Sequence, residues 1–111
     1  MKRGDIWTVA GGAHFTGKPR PAIIIQSDAF HATRSITICP CTTNVADARE
    51  ARVTIAPTPG NGLEIPSFAM ADKISTVVKD RLGRRIGRLD ANDLARLDRA
   101  IIVFLGLADH R

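Results

Sequence analysis

Two short segments of this 111-residue chain end in side chains that bind anions. Arg20 opens the apolar run Pro21-Ala-Ile-Ile-Ile25, and Thr42, Thr43 and Asn44 close the run Ile36-Thr-Ile-Cys-Pro-Cys41. If the two runs pair antiparallel, the start of one lies beside the end of the other. Arg20 and the Thr42–Asn44 cluster then meet on one rim of a sheet. An arginine fork beside hydroxyls suits a phosphate. A transition state at phosphorus piles negative charge on the non-bridging oxygens, and a preorganised guanidinium and hydroxyl stabilise that charge. Arginine stays protonated in proteins, so it is a poor general base.

Other chemistry finds less support. Cys39 and Cys41 flank Pro40 and face the same side of a strand. Cys-x-Cys alone is no metal site, since a closed zinc site takes four ligands. His14, His31 and His110 are scattered without ligand spacing. No metal, phosphate-loop or nucleophile-elbow fingerprint is present, so no cofactor is expected. Free thiols agree with a reducing compartment. No apolar run approaches the roughly 20 residues of a membrane helix, and the N-terminus lacks the apolar core of an export signal. The expected location is the cytoplasm, with no membrane contact.

Net charge is +5, and the excess is uneven. Through Arg88 there are thirteen Lys/Arg against seven Asp/Glu; after it, three against four. A basic surface suits a polyanion, either nucleic acid or an acidic protein segment, although charge at this level also serves solubility.

The length fits one domain, 1–111. Alternation and β-branched runs predict strands over 5–9, 22–25, 35–42, 51–55, 67–71 and 74–78. Pro40 inside the third predicts a bulge or an edge there. A short helical turn is expected over 27–31. Residues 10–19 hold three glycines and a proline and read as a loop carrying His14, Phe15 and Lys18. Residues 81–88 read as a basic, glycine-broken segment. One helix is expected over 90–106, with Asp90 as N-cap and Asp93 placed to reach back to it. Its stripe of Leu94, Leu97, Ile101, Phe104 and Leu105 is core or interface, and Gly106 suits its C-terminal stop. Short strands followed by a terminal helix predict a small, strongly bent, mainly β barrel or sandwich with a helix packed on it.

The ordered set Arg3-Gly-Asp-Ile-Trp7, Arg20-Pro-Ala-Ile-Ile-Ile25, Cys39-Pro-Cys-Thr-Thr43, Asn61-Gly-Leu63, Asp72-Lys-Ile-Ser-Thr76 and Ile86-Gly-Arg-Leu89 spans nearly the whole chain. In this it resembles the MazF/PemK family of toxin endoribonucleases. The resemblance implies an SH3-like β-barrel of the MazF/CcdB/PemK type with a C-terminal α-helix, usually a homodimer. It implies metal-independent, sequence-selective cleavage of single-stranded RNA by the ribose 2′-hydroxyl, leaving 2′,3′-cyclic phosphate and 5′-hydroxyl ends. It also implies a cognate antitoxin with an acidic C-terminal segment. Arg20 matches the family's catalytic arginine before a proline, and Thr42 its catalytic threonine at the end of the next long strand.

Asp72 matches an acidic position that helps bind or process RNA in some members. Met70 stands where some relatives carry an arginine, which puts an Arg/Asp pair at that site in doubt; orienting Arg20 or pairing with Lys73 are other roles for Asp72. Thr43 and Asn44 are candidates for lining the RNA groove, as are His14 and Lys18 in the loop before Arg20. His14 is also a candidate for the 2′-hydroxyl proton, since imidazole titrates near neutral pH. Trp7 reads as core. The loop departs from the commonest family pattern, so cleavage specificity does not carry over. Two readings compete: a gyrase-binding toxin like CcdB, and a non-catalytic nucleic-acid-binding barrel.

Overall fold

Branched and alternating runs become strands where a neighbour takes up their backbone N–H and C=O groups. The computed structural model describes residues 1–10, 19–44 and 51–108. Among these, the strands are β1 (Asp5–Val9), β2 (Arg20–Ile24), β3 (Ser35–Thr42), β4 (Arg52–Ile55), β5 (Ser67–Met70), β6 (Ser75–Val78) and β7 (Leu82–Arg88), followed by helix α1 (Ala91–Leu105). A 3-10 turn at Asp28–Phe30 answers the expected helical turn. All pairings are antiparallel, in the order β4-β5-β3-β2-β1-β7, with β6 on β3. Among the described residues no pairing of β4 with β7 closes the sheet.

Pro40 sits at a change of partner rather than at a bulge. On one side β3 runs along β2, with Ala22 opposite Pro40. On the other, β6 pairs as far as Ile38 and β5 takes over at Cys41. The proline's missing N–H therefore falls in the gap between two ladders.

The two faces of the sheet build two clusters. Ile6, Ile23, Cys39, Cys41, Val53, Ile55, Ala69 and Leu97 form the main core, between the sheet and α1. Ala22, Ile24, Ile36 and Ile38 point to the other face, where half-buried Trp7, Val9, Val77 and Leu82 cover them. The Trp7 indole Nε1 is buried without a partner among the described residues.

Helix α1 starts as expected: the Asp90 carboxylate accepts the Asp93 amide at 2.7 Å. The Asp93 carboxylate pairs with Arg96 at 2.9 Å instead of reaching back to the cap. Gly106 ends the helix in the left-handed region at φ 69°. Of the apolar stripe, Leu94, Leu97 and Ile101 join the core, whereas Phe104 and Leu105 stay exposed. Arg3 ties the helix to the sheet, with Nη2 and Nη1 on the Asp98 carboxylate at 2.6 and 3.2 Å and Nε on the Ile25 carbonyl at 2.9 Å.

The basic segment 81–88 is mostly strand β7, which the periodicity did not predict. Gly87 is forced by the loop before β5, and Gly83 by Thr8 of β1, whose Oγ1 would stand 2.5 Å from an added Cβ. A Cβ on Gly87 would stand 2.3 Å from the Asn61 carbonyl carbon and oxygen. Asn61 organises that loop through bonds to Thr58, Leu63 and Ala56. Among the described residues no helix is long and apolar enough to cross a membrane.

Candidate active site

The β2–β3 register sets Ile24 against Ile38, Ile23 against Cys39 and Ala22 against Pro40. Continued by two residues, it brings Arg20 opposite Thr42, on the same face. Arg20 also pairs with Val9 of β1. It is exposed, and has no hydrogen bond or ion pair among the described residues. Thr42 is half-buried and its Oγ1 accepts the Asn44 amide at 3.2 Å. A hydroxyl that already accepts a bond keeps its own proton to donate. Thr43 and Asn44 continue the rim in exposed positions.

Arg20 lines a cavity of about 340 Å³ on the face away from α1, together with Val9, Pro40, Ser75, Thr76 and Arg81. Arg81 was not singled out in the sequence as a site residue. Its Nε and Nη2 donate to the Ala10 carbonyl at 3.1 and 3.0 Å, and its own carbonyl accepts the Ala10 amide at 2.9 Å. Both polar groups of the Ala10 peptide are thus held by one residue, at the end of β1 beside Arg20. With no carboxylate on it among the described residues, Arg81 brings a second positive charge to the cavity. Arg81 was missed because β7, which it directly precedes, had not been recognised.

Asp72 lies in the 3-10 turn Ala71–Lys73. Its carboxylate takes two bonds from Arg52, Nε to Oδ1 at 2.8 Å and Nη2 to Oδ2 at 3.0 Å. An Arg/Asp pair therefore exists despite Met70, with the arginine supplied from β4, where Arg52 stands opposite Met70. The Arg52 hydrogen bond, against partial burial, holds the Asp72 carboxyl below the ordinary carboxylate range. This engagement takes the place of the expected partners Arg20 and Lys73. His14 and Lys18 lie outside the described residues.

Cys39 and Cys41 are free and buried in the main core. Burial pushes the Cys39 thiol up to about 12 and raises that of Cys41 as well. Neither is a nucleophile at neutral pH. Among the described residues no group of three His, Cys, Asp or Glu is placed to hold a metal ion.

A family model described as the PemK-like, MazF-like toxin of type II toxin–antitoxin systems matches residues 2–105. The chain belongs to this toxin family. Among relatives of the PemK/MazF chain, the "Probable endoribonuclease MazF" of Mycolicibacterium smegmatis is 51% identical over 108 residues, covering 97% of this chain and 99% of the relative. Among solved structures, the Mycobacterium tuberculosis toxin MazF-mt6 superposes with TM-score 0.80 at 27% identity, covering 95% of this chain and 99% of that one. An endoribonuclease solved with its cognate antitoxin, from a mycobacterial species, reaches TM-score 0.82 at 22% identity with 99% of both chains covered. At that identity the second likeness speaks for the fold alone.

Proposed function

We propose that this PemK/MazF-family toxin acts as an endoribonuclease by cutting single-stranded RNA, mRNA included, without a metal, with Arg20 and Thr42 as its catalytic pair. The observation that supports this reading is the antiparallel β2–β3 register through Ala22 and Pro40, beyond which Arg20 and Thr42 follow at matching positions, with the Thr42 oxygen accepting the Asn44 amide. The ribose 2′-oxygen attacks the adjacent phosphorus, the bond from phosphorus to the 5′-oxygen breaks, and the products carry a 2′,3′-cyclic phosphate and a 5′-hydroxyl. Arg20 stabilises the charge that builds on the non-bridging oxygens. Thr42 donates its hydroxyl proton to one of those oxygens, because the Asn44 amide holds its lone pair from behind. The leaving 5′-oxygen takes a proton from Arg20 or water, and the 2′-hydroxyl loses its proton to His14, Asp72 or water. Of these, Asp72 is a weak base while Arg52 holds it.

Thr43 and Asn44 extend the RNA groove along the same rim, and His14, Lys18 and Asp72 contribute to RNA binding. The protein works as a homodimer in the cytoplasm. The exposed apolar end of α1, with Ile102, Val103, Phe104, Leu105 and Leu107, offers surface for a second copy. A cognate antitoxin with an acidic C-terminal segment neutralises the toxin by covering the basic groove, in line with the antitoxin-bound structure of the mycobacterial endoribonuclease.

The test is incubation of the protein with single-stranded RNA in excess EDTA, followed by analysis of the ends. Cleavage leaving 5′-hydroxyl ends supports the reading. No cleavage with gyrase inhibition selects the CcdB-like alternative, and RNA binding without cleavage selects a non-catalytic barrel.

A further inference from the structure

The face that carries Arg20 continues along β1 into a second cluster of positive charge. Val9 stands beside Arg20, Trp7 beside Arg85, and Asp5 beside Arg88. Residues opposed in an antiparallel ladder share a face, as do alternate residues of one strand. Although β7 slips against β1 between Ile6 and Trp7 and again between Trp7 and Val9, Arg85 and Arg88 both reach the Asp5 carboxylate, two alternate positions along β1 from the Val9 that pairs with Arg20. At the far end, Lys2, Arg85, Arg88 and Met1 surround Asp5 in a cavity of about 550 Å³.

Two guanidinium groups and the Lys2 amide converge there on one carboxylate, with the Lys2 residue lining the same cavity. Asp5 is 7% exposed at its side chain and holds Arg88 Nη1 at 2.8 Å and Arg85 Nε at 3.4 Å, while the Lys2 amide donates to its other oxygen at 2.9 Å. It thus acts as a buried anchor that aims two guanidinium groups. Arg85 and Arg88 remain 49% and 45% exposed, with further N–H donors directed to solvent. Nothing in the cleavage step proposed above uses these residues.

We propose that Lys2, Arg85 and Arg88 form a second phosphate-binding site, which holds the RNA backbone away from the cut. The inference rests on the endoribonuclease reading. Spacing favours a nucleic acid strand over an acidic peptide. The four residues from Val9 to Asp5 span about 14 Å at the rise of a strand, roughly four nucleotides at the 3.4 Å per-strand rise of stacked nucleic acid. Charges in a line on one rigid face, with Arg20 and Arg81 at one end and Arg88 and Lys2 at the other, match a polyanion with regular charge.

The experiment compares two single-stranded RNAs in EDTA. One has five nucleotides around a mapped cut, and the other extends it by six on each side. The double variant Lys2→Glu/Arg85→Glu should cut the short RNA at the parent rate and lose about tenfold or more in kcat/KM on the long one. Its log–log salt dependence of long-RNA binding should flatten by about 0.7 per lost phosphate contact. The milder Arg85→Gln, which removes charge without reversing it, should show the same selective loss at smaller size, and guards against a misfolded double variant. Equal loss on both RNAs, or loss on neither, overturns the proposal. So does unchanged RNA handling with weakened inhibition by an acidic peptide, which would give the patch to a protein partner. If the parent cuts neither RNA, the nuclease reading fails instead. Fluorescence anisotropy of the long RNA then still decides whether the variants bind it more weakly.

Discussion

Arg52 reaches from β4 to Asp72 and closes a fork-to-fork pair through bonds of 2.8 and 3.0 Å, with the Arg52 side chain 4% exposed and that of Asp72 24%. Removing the Asp72 charge leaves the Arg52 guanidinium less well compensated where water reaches it poorly. Asp72→Asn should lower stability by about 1–3 kcal/mol, below the range for fully buried pairs because Asp72 is partly solvated. The pH dependence has a definite sign. A carboxyl held below its ordinary pKa stabilises the fold above the unfolded value near 3.9, and that contribution is lost as pH falls through the folded pKa. Urea unfolding across the acid range should show a steeper loss for the parent than for the Asn variant. Equal acid limbs would leave Asp72 no stabilising role.

Arg20 and Thr42 act on one phosphate in the proposed mechanism, so their losses should not add. Arg20→Ala should cut the RNA cleavage rate about 10²-fold or more, as loss of a charge-stabilising donor does. Thr42→Val should be comparably slow, whereas Thr42→Ser keeps the hydroxyl and much of the rate. The double variant should be little worse than the worse single one. Melting temperatures should hardly move for Arg20→Ala, since Arg20 is exposed and unpaired among the described residues. Full additivity in single-turnover kinetics would separate the two residues.

Burial pushes the Cys39 thiol up to about 12, and Cys41 lies beside it in the core. Both should resist iodoacetamide in the native protein at pH 8 and react at once in guanidinium chloride. Mass spectrometry of the quenched protein reads this directly. Fast native labelling would mean that β3 opens readily at Cys39-Pro-Cys41.

Gly87 faces the Asn61 peptide so closely that a methyl group would sit 2.3 Å from its carbon and oxygen. Gly87→Ala should push the loop off β7 and cost about 2 kcal/mol or more. Gly60→Ala is the control, because its nearest neighbour, Thr58 Oγ1, is 3.9 Å from the added atom. A melting temperature for Gly87→Ala equal to that of Gly60→Ala would contradict the packing.

Much of this protein is readable from local pattern. The limits of β1, β3 and α1 follow from alternation, branched runs and the Asp90 cap, all properties of residues within a few positions of one another. The meeting of Arg20 and Thr42 assumed that β2 and β3 pair antiparallel, and that pairing is observed from Ile24–Ile38 to Ala22–Pro40. β7 escaped because glycines broke its periodicity; Gly87 is there for a loop more than twenty residues earlier in the chain, and Gly83 for Thr8 of β1. The partner of Asp72 escaped for the same kind of reason, since Arg52 stands twenty residues away and only the β4–β5 pairing brings it across. The change of neighbours at Pro40, the clamp of Arg81 on Ala10 and the line of charge from Arg20 to Arg88 also depend on which strands meet. Short-range propensity selects elements. Long-range pairing, whose energy is spread over many contacts, selects which side chains share a site.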